Sequence, residues 1–264
     1  LLRADGVIIH RVPLSGKERT LLRASRKPAL FDVDDAIWVT MDGGPSPREK
    51  DLVATIRLCR GARAGNEELA RYLRDLGMAI RMAPTCVPLA EPHSRAPGPV
   101  RIGWIGHSVN LPYLSICAEA LHRIPDARLT VVADRPYEGA DFHAWSVGCE
   151  DRMLPLFDIG IMPLPDTVWT RGKCGYKLLL YMSHAIPVVA SPVGANREIV
   201  RDGETGFFAG TADEWEARLR ALVDDGALRE RIGRAGRASI EGKFDEATGL
   251  AALVRDLREN VSRD

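Results

Sequence analysis

Hydrophobic and polar positions in this chain switch repeatedly between a period of two and a period near three and a half. Residues 6–14 (GVIIHRVPL) and 27–33 (KPALFDV) are rich in β-branched and aliphatic side chains and predict strands. Residues 48–58 predict a helix. Asn66 is placed to cap a second one over 67–76, which Gly77 ends, and 79–87 reads as a strand. The stretch 88–99, with Pro88, Pro92, Pro97, Gly98 and Pro99, reads as a linker. Beyond it the alternation is regular. Strands are expected at 100–106 (VRIGWIG), 127–133 (ARLTVVA), 142–147, 159–164 (IGIMPL), 187–193 (PVVASPV) and 205–209. Helices are expected at 112–123, from Glu150 and from near Gly175. The continuous apolar runs at 159–164 and 187–193 fit strands buried on both faces of a parallel sheet. Two long helices are expected to close the chain. One carries the stripe Trp215, Leu219, Leu222 and Val223, the other Ala247, Leu250, Val254, Leu257 and Val261. The pattern predicts an α/β protein with a doubly wound sheet.

Composition narrows the function classes. The 264 residues hold 36 Lys+Arg and 36 Asp+Glu, so net charge argues against a nucleic-acid binder. No apolar run approaches the ~20 residues of a membrane span. Residues 1–14 lack a signal-peptide pattern. Cys59, Cys86, Cys117, Cys149 and Cys174 are odd in number and contain no C-x-x-C, which disfavours a disulfide framework or structural zinc and makes a reducing cytoplasm the default. Residues 1–31 carry seven Lys/Arg against two Asp/Glu. This excess is either a solvated face or a contact for an acidic partner or membrane surface.

Candidate chemistry concentrates after the apolar run at 159–164, because open parallel sheets bind ligands beyond the carboxyl ends of their strands. No acidic residue occurs among the 31 positions from 167 to 197, which hold Arg171, Lys173, Lys177 and Arg197. Cations at a helix start oppose the helix dipole. A bound anion removes that penalty and meets the free N–H groups, so the pattern suggests a phosphate or diphosphate site. A second helix start, Gly194-Ala195-Asn196 before Glu198, is an anion-binding turn or an ordinary turn capped by Asn196. Gly106, His107 and Ser108 follow the strand at 100–106 without completing a G-x-G-x-x-G pattern, and are either phosphate contacts or a tight turn. Trp145 and Trp169 are core residues or a stacking wall for a base or sugar, with Val147 and Asp166 as further candidates for such contacts. The acids at 32–35 (Asp32, Asp34, Asp35) read first as strand-end and cap residues and only secondarily as a metal site. No residue is assigned as catalytic.

Residues 169–209 (WTRGKCGYKLLLYMSHAIPVVASPVGANREIVRDGETGFFA) resemble the nucleotide-sugar-binding half of GT-B glycosyltransferases, and most closely glycosyltransferase family 4. FDIGIMPLP at 157–165 and DEWEARLRALVDDGALRERIGRAGR at 213–237 extend the likeness over roughly 60–260. The resemblance implies two Rossmann-like lobes with a cleft between them: an N-terminal lobe over 1–87, truncated here, a linker at 88–99, a C-terminal lobe over 100–244, and a helix at 245–264 crossing back. It implies retaining transfer from a nucleoside diphosphate sugar to an acceptor hydroxyl, with no metal or other cofactor. Arg171, Lys173 and Lys177 match diphosphate contacts. His107 matches a diphosphate-binding Arg, Gly194 and Ala195 the donor turn, and Glu198 a recurrent acid. Two family glutamates are replaced by Gly172 and Leu180, and the hinge run reads Pro84-Thr85-Cys86-Val87. These departures leave open a catalytically impaired relative that binds a nucleotide sugar or a partner.

Overall fold

The computed structural model of the chain describes residues 4–90 and 98–261, so most of the linker expected at 88–99 lies outside the described residues. The chain divides into two compact units. Unit 1 comprises Leu1–Thr85, Asp166–Cys174 and Glu246–Asp264; unit 2 comprises Cys86–Pro165 and Gly175–Asp245. The sequence reading assigns all of 100–244 to one lobe, whereas Asp166–Cys174 clusters with unit 1.

Unit 1 is built on a four-stranded parallel sheet in the order β1-β2-β3-β4, from Val7–His10, Ala29–Val33, Gly61–Ala64 and Ile80–Met82. Helices α1 (Gly16–Ser25), α2 (Glu49–Ile56) and α3 (Glu67–Asp75) connect the strands. Helix α1 and strand β3 are additions to the sequence reading. The signal for α1 is Ser15 and Glu18, which form a reciprocal capping box. Strand β3, Gly-Ala-Arg-Ala, carries almost no β-branched signal. It is fully buried, where small residues suit a sheet covered on both faces. Asn66 caps α3 as expected, its side-chain oxygen accepting from the Leu69 N–H at 3.0 Å.

Unit 2 holds six parallel strands in the order β10-β9-β8-β5-β6-β7. They are β5 (Val100–Ile105), β6 (Ala127–Ala133), β7 (Asp141–Ala144), β8 (Ile159–Met162), β9 (Val188–Ala190) and β10 (Phe207–Phe208). Alternate residues serve opposite faces. Val131, Ile161 and Val189 enter one core cluster, while Val132, Met162, Val188 and Ala190 enter the other. A 3-10 turn (Ser108–Leu114) leads into α4 (Ser115–His122), with α5 (Glu150–Met153), α7 (Tyr176–Ser183) and α8 (Asn196–Ile199) between later strands. Unit 1 contributes α6 (Val168–Arg171).

Three helices, not two, close the chain: α9 (Ala212–Asp224), α10 (Gly226–Ile240) and α11 (Glu246–Val261). The glycines that weaken the helical signal of α10 are packing sites. A Cβ at Gly233 would collide with the carbonyl of Ala185. Helix α11 corrects the sequence reading more deeply. Leu250 is 59% exposed and Val254 38%, while Asp256 and Asn260 are buried. The face turned inward is polar because unit 1 supplies it with cations. Arg63 Nε lies 3.0 Å from Asp256 Oδ2 and its Nη1 3.3 Å from Asp32 Oδ1, while Arg81 donates to the Asp256 carbonyl at 3.0 Å.

Among the described residues no helix is long and apolar enough to cross a membrane. Removing one partner of a buried ion pair strands the other charge, which costs about 3–5 kcal/mol. Asp256→Ala is therefore expected to destabilise unit 1 by about that amount, read as an earlier urea transition for unit 1.

Candidate functional site

In unit 2 the strand order reverses between β5 and β8, the switch point beside which open sheets place ligands. Helix α7 begins nearby. Its N-cap, Gly175, sits at φ +71° and offers no side chain to the first N–H groups. Those groups and the dipole favour an anion. Lys177 lies in the first turn, its Nζ 4.4 Å from the ring centroid of buried Trp104. A Cβ at Gly106 would stand 2.5 Å from Lys177 Cε and 2.8 Å from Nζ, so the glycine lets the lysine lie against the β5 turn. Ala195 and Ile199 pack on Gly175, bringing the start of α8 to the start of α7. Gly194 has φ +52° and supplies the bend. Asn196 is not the cap: Ala195 holds that position, and the Asn196 amide donates to the Ser191 carbonyl at 2.9 Å. Glu198 is exposed on α8.

The loop after β5 is more committed than the sequence suggests. The Ser108 N–H and hydroxyl both donate to Asp134, at 2.6 and 2.7 Å, so these donors already serve a carboxylate. The same bonds hold Asp134 below the usual carboxylate range. His107 is exposed, with Nε2 3.7 Å from Asp134 Oδ2 and Nδ1 accepting from the Val109 N–H at 3.3 Å. Trp145 is 42% exposed and Val147 90%, so neither is a core residue. The Trp145 indole donates to Glu150 at 3.2 Å.

Arg171 and Lys173 lie in the segment clustered with unit 1, and both have acidic company there. Arg171 Nε is 2.6 Å from Asp166 Oδ1, just outside the acid-free window. Lys173 lies over the Trp169 ring at 5.0 Å. Burial pushes its pKa below the ordinary lysine value and the charge of Asp35 pushes back. Burial raises Asp35 in turn, opposed by Lys173 and Arg11. With no acid among positions 167–197, both cations find one outside that window: Arg171 meets Asp166, and the fold brings the charge of Asp35 to bear on Lys173 from a distant stretch of sequence.

The segment is anchored from several sides. The buried Asn66 amide donates to the carbonyls of Arg171 and Lys173, each at 3.0 Å, and the Cys174 thiol to the Asp34 carbonyl at 3.1 Å. Gly172 presses on Ala36, where an added Cβ would lie 2.5 Å from the Ala36 Cβ and 2.7 Å from its N. Leu180 belongs to the core of unit 2. Neither position where the resemblance expects a glutamate has room for an exposed carboxylate.

A polar pair unassigned by the sequence reading stands at the carboxyl ends of β1 and β2. The Nδ1 of His10 is 2.9 Å from Asp32 Oδ2, with the imidazole half exposed. Nothing local in the sequence links His10 to Asp32; strand register does, since the two residues are paired in the sheet. Arg11 spans Asp34 and Asp35 at 3.2 and 2.6 Å. Among the described residues no three His, Cys, Asp or Glu side chains gather to hold a metal, and Asp32, Asp34 and Asp35 are engaged by cations. None of the five cysteines is in a disulfide.

The family described as "Glycosyl transferases group 1" matches residues 100–225. Sulfoquinovosyl transferase SQD2 of Arabidopsis thaliana is 28% identical over 222 residues, 74% of this chain and 40% of that protein, so the chain spans about two-fifths of this relative. Anabaena HepE, solved with UDP and glucose, superposes with TM-score 0.72 at 15% identity over 91% of this chain and 74% of HepE. Sucrose-phosphate synthase from Thermosynechococcus elongatus superposes with TM-score 0.74 at 18% identity over 96% of this chain and 74% of that one. The resemblance to GT-B glycosyltransferases thus holds at the level of domain and fold.

Overpacking a tight contact typically costs about 1–3 kcal/mol. Gly172→Ala is expected to lose about that much stability, and Gly172→Glu more, although the latter restores the family residue; differential scanning calorimetry checks both.

Proposed function

We propose that this chain carries the donor-binding part of a retaining glycosyltransferase, which moves a sugar from a nucleoside diphosphate sugar to an acceptor hydroxyl. The observation that carries the reading is Lys177, held by Trp104 and Gly106 at the uncapped start of α7 within the glycosyltransferase group 1 region. The UDP and glucose bound to HepE support this donor class. The diphosphate gains charge as its bond to the sugar breaks. A fixed ammonium and aligned N–H groups stabilise that charge without reorganising. Gly106 and Gly194, with Ala195, let backbone approach the phosphates, and His107 stands at their edge. Trp145 and Val147 offer an exposed aromatic and apolar surface for the base or sugar. Arg171, Lys173, Asp166 and Trp169 are assigned to positioning the segment before α7, since their charges are already matched. No metal is required. The basic N-terminal region provides peripheral contact with an acidic surface.

Gly172 and Leu180 favour a second reading, in which the chain binds a nucleotide sugar but turns it over poorly. A carboxylate at neither position leaves the ribose and sugar hydroxyls with fewer acceptors. Release and transfer of labelled sugar from UDP-sugars separates the two: turnover supports the first reading, and tight UDP binding without turnover the second.

A charge-assisted hydrogen bond is worth about 1.5–3 kcal/mol, so Lys177→Ala is expected to weaken UDP binding roughly ten-fold or more. Isothermal titration measures this, and unchanged affinity removes the proposed site. Activity is expected to persist in EDTA; strict dependence on a divalent ion contradicts the metal-free reading.

A further inference from the structure

The stretch that follows β7 holds a carboxylate to which the donor reading gives no part. Trp145 stands at the carboxyl end of β6, its backbone N–H donating to the Ala133 carbonyl at 2.9 Å. Its exposed indole donates to Glu150 Oε1 at 3.2 Å. Glu150 is half-buried and is the first residue of α5. That short helix lies near α7: Cys149 shares a core cluster with Leu178 and Leu179, and His184 Nε2, at the far end of α7, is 4.0 Å from Asp151 Oδ1. At the near end stands Tyr176, the first residue of α7, 48% exposed. Burial pushes its hydroxyl pKa up, and the negative charge of Glu150 pushes it further. Trp145, Glu150 and Tyr176 thus gather beside the helix start that carries Lys177, all within unit 2.

The charge of Glu150 decides what this cluster takes. An ionised carboxylate accepts hydrogen bonds and donates none, and it has room for about four of them. It repels phosphate, so it has no place on the diphosphate itself and suits a hydroxyl donor instead. The indole bond fixes one of its oxygens and leaves the group lone pairs to offer. In a nucleoside diphosphate the ribose is bonded directly to the diphosphate. A diphosphate held by Lys177 and the first N–H groups of α7 therefore brings the ribose into this neighbourhood, where the Trp145 ring offers it or the base an apolar face. We propose that Glu150 accepts from the ribose hydroxyls of the bound nucleotide, the part that neither Gly172 nor Leu180 can play. This inference rests on the donor reading and adds a specificity-determining residue to it. Trp145 positions the carboxylate. A site built to hydrogen-bond a hydroxyl rejects the analogue that lacks it, because the acceptor is then left unpaired.

The test is isothermal titration of the full chain with whichever of UDP, GDP and ADP binds most tightly, and with its 2′,3′-dideoxy counterpart. The ribose form is expected to bind about ten-fold or more tightly than the dideoxy form, as one charge-assisted hydrogen bond implies. Glu150→Gln keeps an oxygen for the Trp145 indole and is expected to shrink that ratio to about three-fold or less, without loss of affinity for the dideoxy form. Glu150→Ala is expected to bring the ratio close to one. Lys177→Ala is expected to weaken both forms alike and preserve the ratio. A carboxylate that only props the indole changes both affinities together. A ratio unchanged in Glu150→Ala, or a wild-type ratio of one, overturns the proposal and leaves the donor site standing. If none of the three nucleotides binds, the donor reading fails and this inference falls with it.

Discussion

A charge removed from water must find an opposite charge or a dense set of hydrogen bonds, and this constraint organises the polar architecture of unit 1. In unit 1, Asp256 is almost wholly buried and meets Arg63 and Arg81. Arg63 in turn reaches Asp32, whose other oxygen holds His10. The chain of contacts runs from α11 through β3 to the carboxyl ends of β2 and β1. A helix that looks from its sequence like an apolar strap is held by ions instead. The same rule bears on Lys173, whose burial the charge of Asp35 opposes in part.

That pairing changes what the cation-rich stretch after β8 means. Read along the sequence, Arg171, Lys173 and Lys177 form one basic cluster with no acid between positions 167 and 197. Read in space, Arg171 is answered by Asp166 and Lys173 by Asp35, while Lys177 lies over an indole at an uncapped helix start. Sequence distance is a poor guide to electrostatic company, because a fold brings residues more than a hundred positions apart into one neighbourhood.

The α/β class was legible because continuous apolar runs such as 159–164 and 187–193 leave few alternatives to buried parallel strands. Besides α1, three elements were less legible, each for a physical reason. Strand β3 is built of small residues, and α10 contains glycines that serve close packing. Helix α11 presents an apolar stripe that is not its buried face, since Asp256 and Asn260 carry the contact and polar burial leaves no hydrophobic period to read. At the candidate site, Gly106 and Gly194 were visible as glycines, but the commitment of Ser108 to Asp134 was not, because the partner lies 26 residues away. The His10–Asp32 pair was invisible for a similar reason: it exists through strand register.

Gly172 and Leu180 are best understood together with this electrostatic arrangement. Gly172 lies where the Asp166–Cys174 segment is pressed onto Ala36 and held by Asn66, so its lack of a side chain is a packing requirement of unit 1. Leu180 is 6% exposed and belongs to the apolar core cluster of unit 2, where an ionised carboxylate would lose its hydration. Both positions have been recruited to stability. The helix start they flank keeps its N–H groups and Lys177, so the diphosphate contact proposed for it does not depend on either missing acid. Anion binding and hydroxyl recognition are separable properties of one scaffold, and this chain retains the features suited to the first while using for packing the positions expected to serve the second.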